Sequence, residues 1–306
     1  MNNRLWLRTV ANTIATRQQV LRRSTVGRYA IKTPTHHTTW DKMLEVWRAA
    51  DAAEVFESAW NFDHFYPIRG DTNGPCLEAW VTLSALAQAT QRIRLGTMVC
   101  GMHFRHPAVT ASMASSLDIV SKGRLELGLG AGWNPLEADA YGMDLGTVDE
   151  RMTRFEEGTE VIHLLLTEET TDFQGRFYSL REARNEPKPV QKPRPPIVIG
   201  GRGEKRTLRL VARFASMWDA QFVEEEQDEW RRLRDVLWGH CADVGRDPSE
   251  ITLSSHLQVD PEPDPAEVAG RADMLFQAGL DLVIVGITAQ HDASTVEKLA
   301  AALAAQ

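Results

Sequence analysis

Asp63 and His64 stand side by side directly after an apolar run that reads as a strand. An imidazole next to a carboxylate can hold or pass a proton near neutral pH, so the pair is a candidate acid–base centre. As a bare dipeptide it serves equally well as a loop histidine capping a turn. Two glycine-rich stretches are further candidates. Gly128-Leu129-Gly130-Ala131-Gly132 misses the G-x-G-x-x-G spacing of a dinucleotide fold, because Trp133 stands where the third glycine is needed. Small residues at a strand end instead let a flat ring approach the main chain, with Trp133 as a flanking wall. Gly200-Gly201-Arg202-Gly203-Glu204-Lys205-Arg206 runs from a strand into a helix. Its backbone N–H groups and basic side chains suit a phosphate, the alternative being a turn that needs positive φ.

Other chemistries find less material. His36 and His37 are adjacent and diverge at a strand end, and His103 and His106 have no H-E-x-x-H frame, so no metal site is expected. A G-x-S-x-G elbow is absent, which weakens a hydrolase reading. Only Asp63 and Asp219 stand out as carboxylates for glycoside hydrolysis.

These residues need a scaffold, and the hydrophobic pattern supplies one. Strands are expected at residues 28–32, 55–62, 92–99, 124–130, 196–200, 216–220, 251–259 and 282–286. Helical spacing and caps place helices at 40–53, 77–90, 107–120, 149–166, 205–214, 224–242, 265–278 and 294–305. Strands that alternate with helices pair in parallel, and eight such units close a (β/α)8 TIM barrel. An open doubly wound sheet is the alternative. Phe173-Gln174-Gly175-Arg176-Phe177-Tyr178 and the proline-rich run to Pro196 read as a hairpin insertion and linker between the fourth helix and the fifth strand. In the fourth strand Leu125, Leu127 and Leu129 share the face toward the helices, leaving Glu126, Gly128 and Gly130 inward. Arg94 on the third strand is the expected interior partner of Glu126, since a lone buried carboxylate is costly. A barrel carries its function at the carboxyl ends of its strands, where Asp63, His64 and both glycine-rich stretches fall.

Composition narrows the function classes. The 306 residues include 34 Lys+Arg and 42 Asp+Glu, a net charge of −8, which disfavours nucleic acid or an anionic membrane as the main partner. No apolar run reaches the ~18 residues of a membrane span. Cys76, Cys100 and Cys241 show no C-x-x-C spacing, which fits a reducing, cytoplasmic setting. Residues 1–27 hold five arginines and no acid, and read as an extension outside the fold. The domain at 28–306 then has 29 basic and 42 acidic residues, a balance of −13.

The run "YAIKTPTHHTTWDKMLEVWRAADAAEVFESAWNFDHF" resembles the start of a luciferase-like monooxygenase barrel. It is continued by "QRIRLGTMV", "HPAVTASMASSLDIVSKGRLELGLGAGW", "YGMD", "ERMTRFEEGTEVI" and "PIVIGGRGEKRTLRLVARFASMWD". The match as a whole covers essentially residues 28–290 in order, and it is most similar to the branch that uses the deazaflavin coenzyme F420 rather than FMN. The resemblance implies a bacterial-luciferase-like barrel and an F420-dependent oxidoreductase that transfers a hydride between the deazaflavin and a small organic substrate. His64 would be the proton donor or acceptor, and Asp63 would meet the cofactor and reaction centre. The family's third strand ends in a bulge with a non-prolyl cis peptide behind the ring, which falls within residues 96–99 and brings in Thr97, Met98 and Val99. Gly130, Trp133 and Asn134 would lie beside the ring, and Gly200, Gly201, Arg202 and Gly203 would form the phosphate-binding turn. Arg105 is a weaker phosphate candidate, and Arg202, Lys205 and Arg206 are the basic cluster available to an anionic cofactor tail.

Many relatives carry Glu where Trp133 stands, so sugar-phosphate dehydrogenation is in doubt. Trp60, Trp133, His36 and His37 suggest an apolar, partly aromatic pocket. The resemblance also implies a homodimer and a separate reductase or dehydrogenase that recycles the cofactor. Two alternatives share the fold: an FMN-dependent two-component monooxygenase, and a non-catalytic flavin- or deazaflavin-binding protein.

Overall fold

The computed structural model describes residues 27–306 except Phe222. The chain begins with β1 (Arg28–Lys32), α1 (Trp40–Ala52), β2 (Phe56–Asn61), α2 (Ala79–Ala89) and β3 (Arg94–Thr97). A two-residue β4 (Cys100–Gly101), α3 (Pro107–Val120), β5 (Leu125–Gly130), α4 (Pro135–Ala140) and α5 (Val148–Thr167) follow. Next come the hairpin β6 (Thr171–Gln174) and β7 (Ser179–Ala183), then β8 (Ile197–Gly200), α6 (Thr207–Phe214), β9 (Met217–Asp219) and α7 (Gln227–Val244). The chain ends with β10 (Thr252–Gln258), α8 (Pro265–Gln277), β11 (Leu282–Gly286) and α9 (Ala293–Ala304).

The strands run β3-β2-β1-β11-β10-β9-β8-β5-β4, and β3 also pairs with β5, so the sheet closes on itself. Every ladder in this ring is parallel. β3 lies within the third strand expected at residues 92–99 and β4 continues it just beyond, so the two share one place in the ring, which has eight positions and is a TIM barrel. Gly96 pairs with Glu126 and Cys100 with Leu129, four residues of advance against three. The surplus residue is a bulge at the strand end. The non-prolyl cis peptide joins Met98 and Val99 there.

The core divides as a barrel requires. Leu125, Leu127 and Leu129 join the layer between strands and helices, while Ala30, Trp60, Met98, Val198, Met217, Leu282 and Ile284 fill the interior. Glu126 turns inward as expected and meets Arg94, Nε to Oε1 at 2.5 Å. Gln191 from the linker completes the arrangement by accepting from Arg94 at 3.0 Å. Burial still holds the Glu126 carboxyl above its ordinary value, against the pull of Arg94.

The hairpin insertion lies where expected, with β6 and β7 antiparallel. Glu157 of α5 anchors its tip, accepting from the amides of Arg176, Phe177 and Tyr178 at 2.7, 2.8 and 3.2 Å. One element departs from the sequence reading, because α4 stands in a stretch expected to be loop. Asn134 caps it, accepting from the Leu136 amide at 3.2 Å, and Pro135 opens its first turn. The expected extension at 1–27 lies outside the described residues except for Gly27. Among the described residues no helix is long and apolar enough to cross a membrane.

Candidate functional site

A cavity of about 450 Å³ opens among the carboxyl ends of the strands. Asp63 and His64 follow β2, Met98, Val99 and Gly101 come from the bulge, and Gly132 and Trp133 follow β5. Phe62, Ile68, His103 and Phe104 add apolar and aromatic wall. Lys32, Arg69, Gln221, Glu225, His256 and Gln258 make the remaining lining polar. The volume falls within the ~300–1,000 Å³ usual for small-molecule sites.

His64 is the most organised of the expected residues. Its Nδ1 lies 2.5 Å from Oε1 of Glu137, which is completely buried. The second Glu137 oxygen accepts from the Phe65 amide at 2.9 Å. Burial pushes the Glu137 carboxyl up, but the hydrogen bonds from His64 and Phe65 outweigh it and hold it below the usual carboxylate range. An ionised acceptor fixes the tautomer with hydrogen on Nδ1, which frees Nε2 for a proton in transit. Trp133 and Phe104 hold the ring edge-on, at centroid distances of 5.7 and 6.2 Å. Sequence reasoning missed Glu137, although Asn-Pro followed by an acid is the signature of a helix start.

Asp63 borders the cavity, but its charge is already met. Arg105 grips both carboxylate oxygens, at 2.7 and 3.1 Å, and reaches Glu78 at 2.7 Å with its second amino group. Arg105 is therefore a partner of Asp63 here and is not placed as a phosphate ligand. Of the other ring-side candidates, Met98, Val99 and Trp133 reach the cavity. Gly130 lies behind Val99, and a Cβ there would come within 2.6 Å of that side chain. Thr97 is buried, and its carbonyl presses on Gly128. Asn134 is the α4 cap rather than a wall residue.

The turn at residues 200–203 is outside the cavity lining. Gly201 has φ +114°, so the turn does need a glycine there. Arg202 pairs with Glu226 at 2.6 Å, and Arg206 with Asp149 at 2.9 Å and with Glu156. Trp60, His36 and His37 do not line the cavity either. Trp60 is fully buried in the barrel interior, and His36 stacks on Phe62 at 5.8 Å. The aromatic wall that sequence placed on them is made by Phe62, Phe104 and Trp133.

A second polar group was not foreseen. Lys32 at the end of β1, Asp219 at the end of β9 and His256 on β10 converge on the cavity floor, with Lys32 only 8% exposed and Asp219 fully buried. Lys32 Nζ is 3.5 Å from His256 Nδ1, and His256 Nε2 is 3.1 Å from both Asp219 Oδ2 and Met98 Sδ. Burial draws the Lys32 ammonium down to about 7, with Asp219 opposing and Arg69 assisting. Burial pushes Asp219 up, but His256 and Lys32 hold it below its ordinary value.

A closed parallel ring of eight strand positions with a cavity at their carboxyl ends defines a TIM barrel with its candidate site at the usual face. The chain belongs to the luciferase-like monooxygenase family, whose model matches residues 22–306. It is 32% identical over 248 residues to an uncharacterized protein of Mycobacterium tuberculosis (strain ATCC 25618 / H37Rv), covering 78% of this chain and 83% of that one. An F420-dependent glucose-6-phosphate dehydrogenase of Kineococcus radiotolerans is 34% identical over 245 residues, covering 80% and 71%. Among solved structures, an F420-dependent secondary alcohol dehydrogenase in complex with an F420-acetone adduct superposes with TM-score 0.78 at 19% identity, covering 91% of this chain and 98% of that one.

Proposed function

We propose that this chain is an F420-dependent oxidoreductase acting on a small organic substrate, with His64 as its proton donor or acceptor. The observation that carries this reading is the His64–Glu137 dyad on the wall of a cavity bordered by the Met98–Val99 bulge. The residues present fit a flat heterocycle. Gly101 and Gly132 line the cavity, and a Cβ on either would meet His103 at 3.0 and 2.2 Å, so these glycines let the flat His103 ring seat in the wall. When bound, the deazaflavin supplies or takes the hydride.

The protein residues have separate tasks. Met98, Val99 and Trp133 would border the ring, and the aromatic wall would exclude water. Glu137 orients His64 so that Nε2 is the nitrogen that exchanges a proton with the substrate. Asp63, held by Arg105, fixes the segment that carries His64. The substrate dehydrogenated or reduced is a small alcohol, carbonyl or related compound.

Titration of the purified protein with F420 and with FMN, followed by fluorescence, tests the cofactor. F420 binding in the micromolar range or tighter supports the reading. Micromolar FMN binding without F420 binding would replace it with a flavin-dependent monooxygenase. With F420 bound, His64→Ala should lose turnover far more than cofactor affinity.

A further inference from the structure

We propose that Lys32 anchors a carboxylate of the substrate, so that the substrates of this site are small carboxylic acids. The inference rests on the hydride-transfer reading above and narrows its substrate class.

An ammonium group has three N–H donors. Lys32 is more than nine-tenths buried, yet among the described residues Nζ finds one nitrogen, His256 Nδ1, at 3.5 Å. Its other neighbour is the face of Phe62, 4.4 Å from ring centroid to Nζ. Buried donors are ordinarily satisfied, and here the open ones border a cavity. Asp219 supplies a balancing charge, but its contact is with His256 Nε2 at 3.1 Å and it is in no ion pair with Lys32 among the described residues. It therefore supports the charge on Lys32 without filling its donors.

The basic groups left without an ion-pair partner among the described residues then select the ligand. Arg69 lines the same cavity and donates to Gln258 Oε1 at 3.1 Å, but it is in no ion pair among the described residues. Lys32 and Arg69 therefore bring two basic groups without an ion-pair partner among the described residues to the same cavity, Lys32 buried and Arg69 exposed. Burial draws His256 below its ordinary value, against the pull of Asp219. Glu225, the other acid on this stretch of wall, is solvent-exposed as Arg69 is, and it pairs with neither Lys32 nor Arg69 among the described residues. On the far side of the site, Asp63 is matched by Arg105 and Glu137 by His64. A carboxylate brings one negative charge and two acceptor oxygens, which fits the open donors of Lys32 and the guanidinium of Arg69, which is in no ion pair among the described residues. An uncharged oxygen would fit only the donors.

The test is calorimetric titration of the full chain with benzoate and with its neutral isostere benzamide at pH 8, in HEPES and in Tris. Benzoate should bind at least tenfold more tightly than benzamide. Its binding should take up a proton, because a carboxylate returns Lys32 to the ammonium form, and the two buffers reveal this as different heats. The variant Lys32→Met/Asp219→Asn, which removes both buried charges together, should lose the preference for benzoate, while Lys32→Arg should keep it. Equal binding of benzoate and benzamide, binding without proton uptake, or an undiminished preference in the double variant would each overturn the proposal. Should the double variant not fold, the wild-type comparison of ligands and buffers still decides it. Benzoate binding needs no cofactor, so this result and the F420 titration fail independently.

Discussion

Glu137 accepts a hydrogen bond from the His64 ring at 2.5 Å, although the two residues are 73 apart in sequence. The carboxylate is completely buried, so its charge is directed at the imidazole rather than dispersed in water. Removing the charge while keeping the shape isolates this effect. Glu137→Gln can still accept from the Phe65 amide but no longer enforces hydrogen on Nδ1. Around metal-bound histidines, loss of such an orienting carboxylate typically costs about 10–100-fold, and an effect of the same order is expected here. Turnover with F420 and a competent substrate should fall by about that factor, with cofactor affinity changed less than threefold. A variant whose turnover stays within a factor of two at every pH would remove Glu137 from the proton path.

Arg105 and Asp63 invite a different experiment. Asp63 is 1% exposed and holds its charge against one guanidinium. Breaking a buried pair by removing one partner costs about 3–5 kcal/mol, because a charge is left without compensation. Urea unfolding of Arg105→Met should show a loss of that order. Glu78→Gln, which keeps the cap on the Val81 amide, should cost under about 1 kcal/mol because Glu78 is partly exposed. Equal effects of the two changes would show that Arg105 does not act mainly through Asp63.

What the sequence disclosed, and what it hid, follows from the range of each interaction. Alternation along residues 124–130 was enough to turn Glu126 inward, and the same rule on the third strand brought Arg94 to meet it. The Asp63–His64 pair was visible because both residues share one strand end. Glu137 was hidden because a six-residue helix is too short to show periodicity, and only its Asn134–Pro135 start marks it. Lys32, Asp219 and His256 come from three strands, so only the closed ring brings them together. Period-two reading of β1 does place Lys32 with Ala30 on the interior face, but nothing in the chain says which charges wait across the barrel. The failure of Trp60 as a cavity residue has a similar cause, since its position along the barrel axis is a tertiary property.

Lys32 also predicts an unusual dependence of stability on pH. Its folded value of about 7 lies below the ordinary 10.5, so the unfolded chain binds more protons between those limits. The penalty is fully present below pH 7 and is relieved as the pH rises, by up to about 1.4 kcal/mol per pH unit. His256, His36 and His103, all lowered by burial, share this sign but have largely finished titrating by pH 7. Cys100 and Tyr29, both raised by burial, act in the opposite sense at higher pH. The informative window is therefore pH 7–8. Urea unfolding there should show stability rising more steeply with pH in the wild type than in Lys32→Met. Parallel slopes would mean that Lys32 keeps its ordinary value when folded.

Two glycines provide the last contrast, because one is required by its neighbours and the other is not. A Cβ on Gly128 would fall 1.9 Å from the Thr97 carbonyl oxygen and 3.2 Å from Val99. Both belong to the segment that forms the bulge, and a main-chain carbonyl cannot rotate away as a side chain can. Gly128→Ala should therefore push β3 from β5 and cost about 1–3 kcal/mol or more, the range for overpacked interiors. Gly239 lies within α7 with nothing inside 4 Å of such a Cβ. Gly239→Ala should instead stabilise the protein by about 0.5–1 kcal/mol, because alanine loses less backbone entropy in a helix. Thermal unfolding of both variants separates the two cases. The Gly128 variant should also lose cofactor binding at temperatures where it remains folded, since the displaced residues, Met98 and Val99, are cavity wall. Full stability in Gly128→Ala would show that the bulge can yield, and with it the wall on which the proposed ring site depends.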